Sequence, residues 1–161
     1  MFLDDYAAHE RVKRREGSAE VDILEEVIAG IKEYFNKSLG RILLYKFERP
    51  QFLEIFTQLE RGHGELEGKH ISDVYGVEHL CRLFGMLIYI FHARWTFANP
   101  DQTVTMPDLI AHTNMDAQSV VRLKEELAKM TQWLSKHTDK YLSHAYEGPS
   151  SEYGEQMKTG A

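Results

Sequence analysis

The stretch LEEVIAGIKEYFNKSL, residues 24–39, decides the fold, because its apolar side chains recur every three or four residues. That spacing places them on one face of an α-helix of about five turns. The members of this stripe are Leu24, Val27, Ile28, Ile31, Tyr34, Phe35 and Leu39. Charged residues such as Glu25, Glu26 and Lys32 fall mostly off the stripe, and Gly40 could end the helix. We therefore expect this helix to bury one face in a core.

The segments on both sides show the same helical period. A first helix is predicted over residues 2–15, stopping near Gly17, and another over residues 50–60, where Pro50 suits a first helical position. A very apolar central helix is predicted from Val77 to about His92. A last long helix, capped by Asn114 or Asp116, would carry the stripe Val120, Leu123, Leu127, Met130, Trp133, Leu134, His137 and Tyr141.

The connecting segments are less decisive. RILLYKF, residues 41–47, fits either a buried strand or a continuing helical turn. Arg61–Lys69 contains three glycines and is predicted to be an exposed loop. Residues 95–106 are also expected to form a loop, Pro107 could open a short helix, and residues 147–161 are expected to form a flexible tail. Because period-two alternation is nearly absent, we predict an all-α fold, a compact array of five to six helices over residues 1–146.

Composition excludes several classes of protein. The 161 residues suggest one domain, and the net charge of −6 argues against broad non-specific binding to nucleic acid. The single cysteine, Cys81, excludes an internal disulfide and fits a reducing compartment. The longest apolar run, Leu83–Phe91, has nine residues, whereas a membrane span needs about 20. We expect a cytosolic or nuclear protein.

The sequence also lacks the patterns that would indicate an enzyme. It contains no phosphate-binding glycine loop and no nucleophile elbow. Cys81 lies in an apolar segment and is expected in the core, and the grouping His63, His70, His79 and Cys81 matches no tetrahedral metal site. The acidic pairs are expected on solvated helix faces; these are Asp4–Asp5, Glu25–Glu26 and Glu125–Glu126. No catalytic residue, cofactor or metal is predicted.

KFERPQF, residues 46–52, differs from plain core, because Glu48 and Arg49 interrupt apolar flanks just before a proline. Burying such charges without partners would be costly. They could make structural hydrogen bonds at a helix start. Alternatively, they could form the lip of an apolar groove, with Tyr45 and Phe52 as anchors.

Several long motifs resemble the MRG (mortality factor 4-related) family. VIAGIKEYFNKSLGRILLYKFERPQF at 27–52 is similar to its signature, and VYGVEHLCRLF at 74–84 resembles its Y-G-x-x-H-L-x-R-L pattern. LIAHTNMDAQSVVRLKEEL at 109–127 and TQWLSKHTDKYL at 131–142 resemble its C-terminal part, closest to fungal members. The resemblance covers residues 2–147 and implies a helical, non-enzymatic docking subunit in the nucleus.

The resemblance further implies what is bound and where. Its expected partners are subunits of nucleosomal histone acetyltransferase and deacetylase complexes, held through short apolar segments in a surface groove without direct contact to nucleic acid or membrane. Tyr45 matches a groove position of the family, and further residues match motif positions nearby. The predicted partner-binding set is Tyr45, Glu48, Arg49, Phe52, His79, Leu80, Arg82 and Leu83. For His79, an interior hydrogen-bonded role is an equal alternative.

The chain departs from the family pattern in three places. No chromodomain precedes the MRG-like region, so methyl-lysine binding is not predicted. FLDDY at 2–6 resembles a segment inside the domain, so a preceding helix with a groove-lining tryptophan is expected to be missing. Residues 85–105 are an atypical insert, either an authentic elaboration or translated non-coding sequence. The missing helix also leaves a second hypothesis open, a truncated helical fragment that folds only with a partner.

Overall fold

A computed structural model of the chain describes residues 2–62, 64–96, 117–143 and 145. Within these residues there are five helices of at least ten residues, two helices of a single turn, and no β-strand. They are α1 (Phe2–Arg11), α2 (Ala19–Ser38), α3 (Arg49–Arg61), α4 (Ile71–Val74), α5 (Val77–Thr96), α6 (Ala117–Ser135) and α7 (Thr138–Tyr141). The predicted all-α class is confirmed.

Helix α2 buries one apolar face in the core, as its periodicity predicted. Its buried apolar side chains follow one another at spacings of three and four residues; they are Val21, Leu24, Ile28, Ile31 and Phe35. Acidic residues in the first turn, Glu20 and Asp22, and Lys37 in the last turn complement the helix dipole. Buried residues of α1, α5 and α6 complete one cluster with α2; they are Phe2, Leu3, Tyr6, Val77, Leu80, Leu83, Phe84, Leu87, Leu127, Met130 and Leu134.

The junction between α2 and α3 consists of two helical turns joined by the extended residues Leu44 and Tyr45. The second interpretation of residues 41–47, a continuing helical turn, is therefore right for residues 41–43. A π-helical turn, Leu39–Leu43, continues from α2, and a 3-10 turn, Lys46–Glu48, leads into α3. The predicted end at Gly40 is wrong, because α-helical hydrogen bonding stops at Ser38 and the π-turn carries the chain past Gly40. This turn buries Leu39 and Leu43 while leaving Tyr45 outside.

Helix α3 begins as Pro50 predicted and ends at Gly62, whose φ of 62° is the left-handed conformation that glycine adopts without a steric penalty. Turns follow over residues 64–68, in agreement with the predicted loop. None of the residues of α3 is buried, although its sequence is amphipathic. The helix therefore lies on the surface of the core rather than within it.

Some boundaries and burials differ from the predictions. Helix α1 ends at Arg11 rather than near residue 15, and α5 continues to Thr96. The last predicted helix breaks after Ser135, since His137 has φ −130° and ψ 27°, and Tyr141 belongs to a separate turn. Cys81 is exposed on α5 rather than in the core.

Some predictions fall on residues 97–116 and 147–161, which lie outside the described residues. They concern the Asn114 or Asp116 cap, the helix at Pro107, the polar half of the insert and the tail. Over the residues that the structure does describe, no helix combines the length and apolarity that a bilayer crossing requires.

Candidate functional site

The carboxylate of Glu48 is the centre of the predicted site. Glu48 ends the 3-10 turn, and α5 brings Arg82 and His79 against it. Arg82 Nη1 donates to Glu48 Oε2 at 2.6 Å and Arg82 Nη2 donates to Oε1 at 2.9 Å. The backbone N–H of Tyr45 donates to Oε2 at 2.7 Å, and His79 Nε2 lies 3.2 Å from Oε1. Both carboxylate oxygens are thus occupied by groups of the same chain.

The ionisation of this cluster follows from its contacts. Burial favours the neutral form of Glu48, but hydrogen bonds from Arg82 and the Tyr45 amide outweigh it, so the pKa of Glu48 lies below its ordinary value. Burial also lowers the pKa of His79, and the Arg82 charge adds to this against the opposing effect of Glu48. An ionised Glu48 can only accept hydrogen bonds, so His79 Nε2 carries the proton in this contact.

Tyr45 is held in place while its side chain stays 56% exposed. The guanidinium carbon of Arg82 lies 4.2 Å from the centre of the Tyr45 ring, a cation–π distance. The ring of Phe47, a residue that is 40% exposed, stacks on the Tyr45 ring with 5.5 Å between the ring centroids. Arg82 also donates to the Leu43 carbonyl at 3.0 Å. One arginine therefore connects the turn before Tyr45, its ring and Glu48.

Phe52, the second predicted anchor, is half-buried and packs against the core. Its ring lies against Gly40, where a Cβ atom would come within 2.6 Å of the ring carbons. The rings of Phe56 and Tyr75 lie 5.6 and 6.1 Å from that of Phe52. The Phe52 side chain is therefore less accessible to a binding partner than the Tyr45 side chain.

The remaining predicted residues differ in their exposure to solvent. Arg49 is exposed, and its Nη2 donates to the Arg41 carbonyl at 3.4 Å. His79 is partly buried, with its ring edge-on to Tyr75 at 5.0 Å, which agrees with the hydrogen-bonded alternative. Leu80 and Leu83 are 5% and 0% exposed and belong to the core. These two leucines are not accessible to a partner, because α5 directs them towards the core.

Residues that were not predicted to bind a partner extend the exposed site. Ile42 and Phe47 are large exposed apolar residues beside Tyr45 in sequence, and Arg41 and Lys46 are exposed. We call the set Arg41, Ile42, Tyr45, Lys46, Phe47 and Arg49 the Tyr45 surface. On α3, Leu53 is 62% exposed and Phe56 also remains exposed. In the sequence, these exposed residues could have been found from the way cations alternate with apolar residues in RILLYKFER, residues 41–49.

A cavity of about 460 Å³ opens elsewhere on the molecule, between α1, α2, α4, α5 and α7. Its lining includes Phe2, Phe35, Tyr75, Leu80 and Tyr141, and neither Tyr45 nor Phe52 contributes to it. In the part of the chain that the structure describes, no three His, Cys, Asp or Glu side chains converge as metal ligands would.

Comparison with known proteins identifies close relatives. The chain is 48% identical over 157 residues to "Chromatin modification-related protein eaf3" of Aspergillus fumigatus, covering 98% of this chain and 42% of that protein. It is 43% identical to "Chromatin modification-related protein EAF3" of Yarrowia lipolytica, over 94% of this chain and 33% of that protein. It is 35% identical to "NuA4 complex subunit EAF3 homolog" of Dictyostelium discoideum, over 80% of this chain and 27% of that protein. The chain spans less than half the length of each of these relatives.

The family model for MRG matches residues 1–94 and 103–148. The match includes most of the segment predicted as an insert and omits only residues 95–102 of it. It also contains Glu48, His79, Arg82 and every residue of the Tyr45 surface. The chain therefore belongs to the MRG family.

Proposed function

We propose that this chain is a non-enzymatic docking module of nuclear chromatin-modifying complexes, which binds short apolar segments of partner subunits at the Tyr45 surface. The partners would be subunits of histone acetyltransferase and deacetylase complexes. Two relatives carry the name "Chromatin modification-related protein" and a third the name "NuA4 complex subunit EAF3 homolog". These names support the class of complex and, with it, a nuclear location.

The observation that carries the proposal is an exposed aromatic ring fixed by three contacts. Tyr45 is held by the Arg82 guanidinium, the Phe47 ring and the Glu48 carboxylate on its backbone amide. Aromatic anchors supply much of the energy of protein interfaces. A ring that is already ordered loses less conformational entropy when a partner covers it. The geometry thus suits a preorganised anchor.

The charged groups next to Tyr45 favour docking over catalysis. Glu48 is bound by Arg82, His79 and a backbone amide, so its oxygens are occupied. The pKa of Glu48 is lowered, whereas a general acid requires a raised one. The pair serves to position the anchor rather than to move protons.

Affinity purification of the tagged full chain from a fungal nuclear extract, with identification of the bound proteins, tests this proposal. We expect acetyltransferase or deacetylase subunits with the parent chain and with Tyr45→Phe, which keeps the ring. Tyr45→Ala should weaken their binding by about 30-fold, as for an interface hot spot. Val121→Ala, which trims an exposed apolar side chain on α6, is the matched control.

The outcomes also address the alternative of a fragment that folds only with a partner. Circular dichroism of the purified chain should show a cooperative thermal transition, which Tyr45→Ala and Val121→Ala both retain. Absence of any acetyltransferase or deacetylase subunit from the parent chain's bound fraction would overturn the proposal. A non-cooperative transition would favour the fragment hypothesis instead.

A further inference from the structure

The Tyr45 surface carries an electrostatic character opposite to that of the whole chain. The net charge of the protein is −6, yet the segment from Arg41 to Arg49 contains three cationic residues and a single carboxylate, Glu48. That carboxylate is held by the bidentate contact with Arg82. The segment therefore presents an excess of positive charge beside its exposed apolar side chains.

The two arginines of this surface are brought together by the fold. The guanidinium of Arg49 lies at the backbone carbonyl of Arg41, and both residues are exposed. Among the described residues, no carboxylate forms an ion pair with either side chain. Elsewhere, exposed cations of α2 and α7 pair with acids, as Lys37 does with Glu33 and Lys140 with Asp5.

Exposed cations that share one surface without acidic partners create a local positive potential, and this potential attracts an anionic ligand. The same surface offers Tyr45, Phe47 and Ile42 as exposed apolar contacts. A complementary ligand must therefore combine apolar anchors with negative charge.

We propose that the occupant of the Tyr45 surface is an acidic peptide segment of a partner protein, with aromatic or aliphatic anchors flanked by Asp or Glu. This inference rests on the docking function proposed above and adds the chemical class of the partner. The anchors cover Tyr45 and Phe47, while the flanking carboxylates approach Arg41 and Arg49. A single strand of nucleic acid also combines stacking groups with negative charge, so it enters the test as a competing ligand.

Selection of a randomised 16-residue phage-displayed peptide library on the folded full chain tests the inference, with Tyr45→Ala as the counter-selection. We expect the Tyr45-dependent sequences to be enriched in both apolar anchors and Asp or Glu. The tightest peptide is then synthesised with a fluorophore, and its Kd is measured by anisotropy against wild type and variants.

The double reversal Arg41→Glu with Arg49→Glu should raise that Kd at least tenfold at low salt, and the effect should shrink as salt rises. Arg61→Glu is the control for charge reversal itself, because it makes one such reversal, half of the double variant's charge change, at the opposite end of α3. Its Kd should remain within about twofold of wild type. Circular dichroism of each variant establishes that the fold is retained.

The outcomes separate the two proposals. Tyr45-dependent peptides that are neutral or basic, or a double reversal no weaker than Arg61→Glu, would overturn the acidic-segment inference and leave docking intact. No Tyr45-dependent peptide at all would overturn both. Tighter binding of a fluorescent dT16 oligonucleotide than of the selected peptide would assign the surface to nucleic acid and overturn the inference.

Discussion

The guanidinium of Arg82 donates hydrogen bonds to both carboxylate oxygens of Glu48 and lies over the ring of Tyr45. The planar guanidinium is suited to both contacts at once, because it donates in a fixed fork and stacks on aromatic faces. A lysine carries the same charge but cannot form the two parallel hydrogen bonds. The identity of this residue, and not only its charge, fixes the anchor.

We therefore expect Arg82→Lys to lower the free energy of unfolding by about 1–2 kcal/mol, since the pair is only partly shielded from solvent. Urea unfolding followed by circular dichroism measures the change. Arg122→Lys, at an exposed position of α6, should change it by less than about 0.5 kcal/mol. Equal effects of the two substitutions would show that the bidentate geometry contributes nothing.

The contact between Gly40 and Phe52 predicts that alanine substitutions at two glycines change the free energy of unfolding in opposite directions. A Cβ at Gly40 would lie 2.6 Å from the Phe52 ring, whereas one at Gly30 in α2 would meet nothing within 4 Å. Gly40→Ala should cost about 1–3 kcal/mol, because the ring must move. Gly30→Ala should stabilise the protein by about 0.5–1 kcal/mol through helix propensity.

Thermal unfolding of the two glycine variants measures both effects. The midpoint should fall for Gly40→Ala and rise for Gly30→Ala. A rise for both would mean that Phe52 rearranges without cost and that its position is not fixed by Gly40.

The parts of the fold that depend on local sequence were predictable. The stripe of α2 predicted that helix, and the position of Pro50 predicted the start of α3 to within one residue. The motif around residues 74–84 pointed correctly to α5, but motif membership could not separate Arg82, which reaches Glu48, from Leu83, which the same helix buries. That distinction depends on which face of α5 meets the core.

Contacts between distant residues were not predictable. The pair Glu125–Glu126 was expected to be solvated, yet Glu126 is buried. Its partners Tyr6 and Arg14 lie 120 and 112 residues away in the chain, on and just after α1. Only the packing of α1 near α6 reveals that one glutamate of the pair has an interior role.

The Glu126 cluster predicts a difference between two adjacent glutamates. Glu126 accepts from Tyr6 at 3.2 Å and from Arg14 and Lys129 at 2.8 Å each. Glu126→Ala leaves Arg14 without its close carboxylate in a largely buried setting, and should cost about 2–4 kcal/mol. Glu125→Ala, at the exposed neighbouring position, should cost less than about 0.5 kcal/mol.

The lowered pKa of Glu126 also predicts how the free energy of unfolding depends on pH. Burial would raise its pKa, but Lys129 and Arg14 hold it below the ordinary 4.5. The unfolded state then binds more protons below pH 4.5, so this contribution is complete above that pH and is lost as the pH falls through the folded pKa. Urea midpoints between pH 3 and 6 should fall less steeply for Glu126→Ala than for Glu125→Ala. Parallel curves would mean that Glu126 titrates alike in both states.

His79 predicts a second pH dependence in a different window. Its pKa in the folded chain lies below the ordinary 6.5, because burial and Arg82 disfavour the imidazolium. As the pH falls below 6.5, the unfolded state takes up the proton first, so the free energy of unfolding declines until the folded pKa is passed. Above pH 6.5 the contribution is constant.

His79→Gln keeps a donor for Glu48 but does not titrate. The difference in free energy of unfolding between wild type and this variant should therefore be flat above pH 6.5 and shift against the wild type below it. His70→Gln, at an exposed position, leaves His79 in place and should retain the wild-type slope. If His79→Gln followed the wild-type curve in parallel from pH 5 to 7.5, the pKa of His79 would be the same in the folded and unfolded states, and the lowering by burial and Arg82 would be wrong. A wild type that gained stability relative to His79→Gln below pH 6.5 would instead show a raised pKa and an imidazolium paired with Glu48.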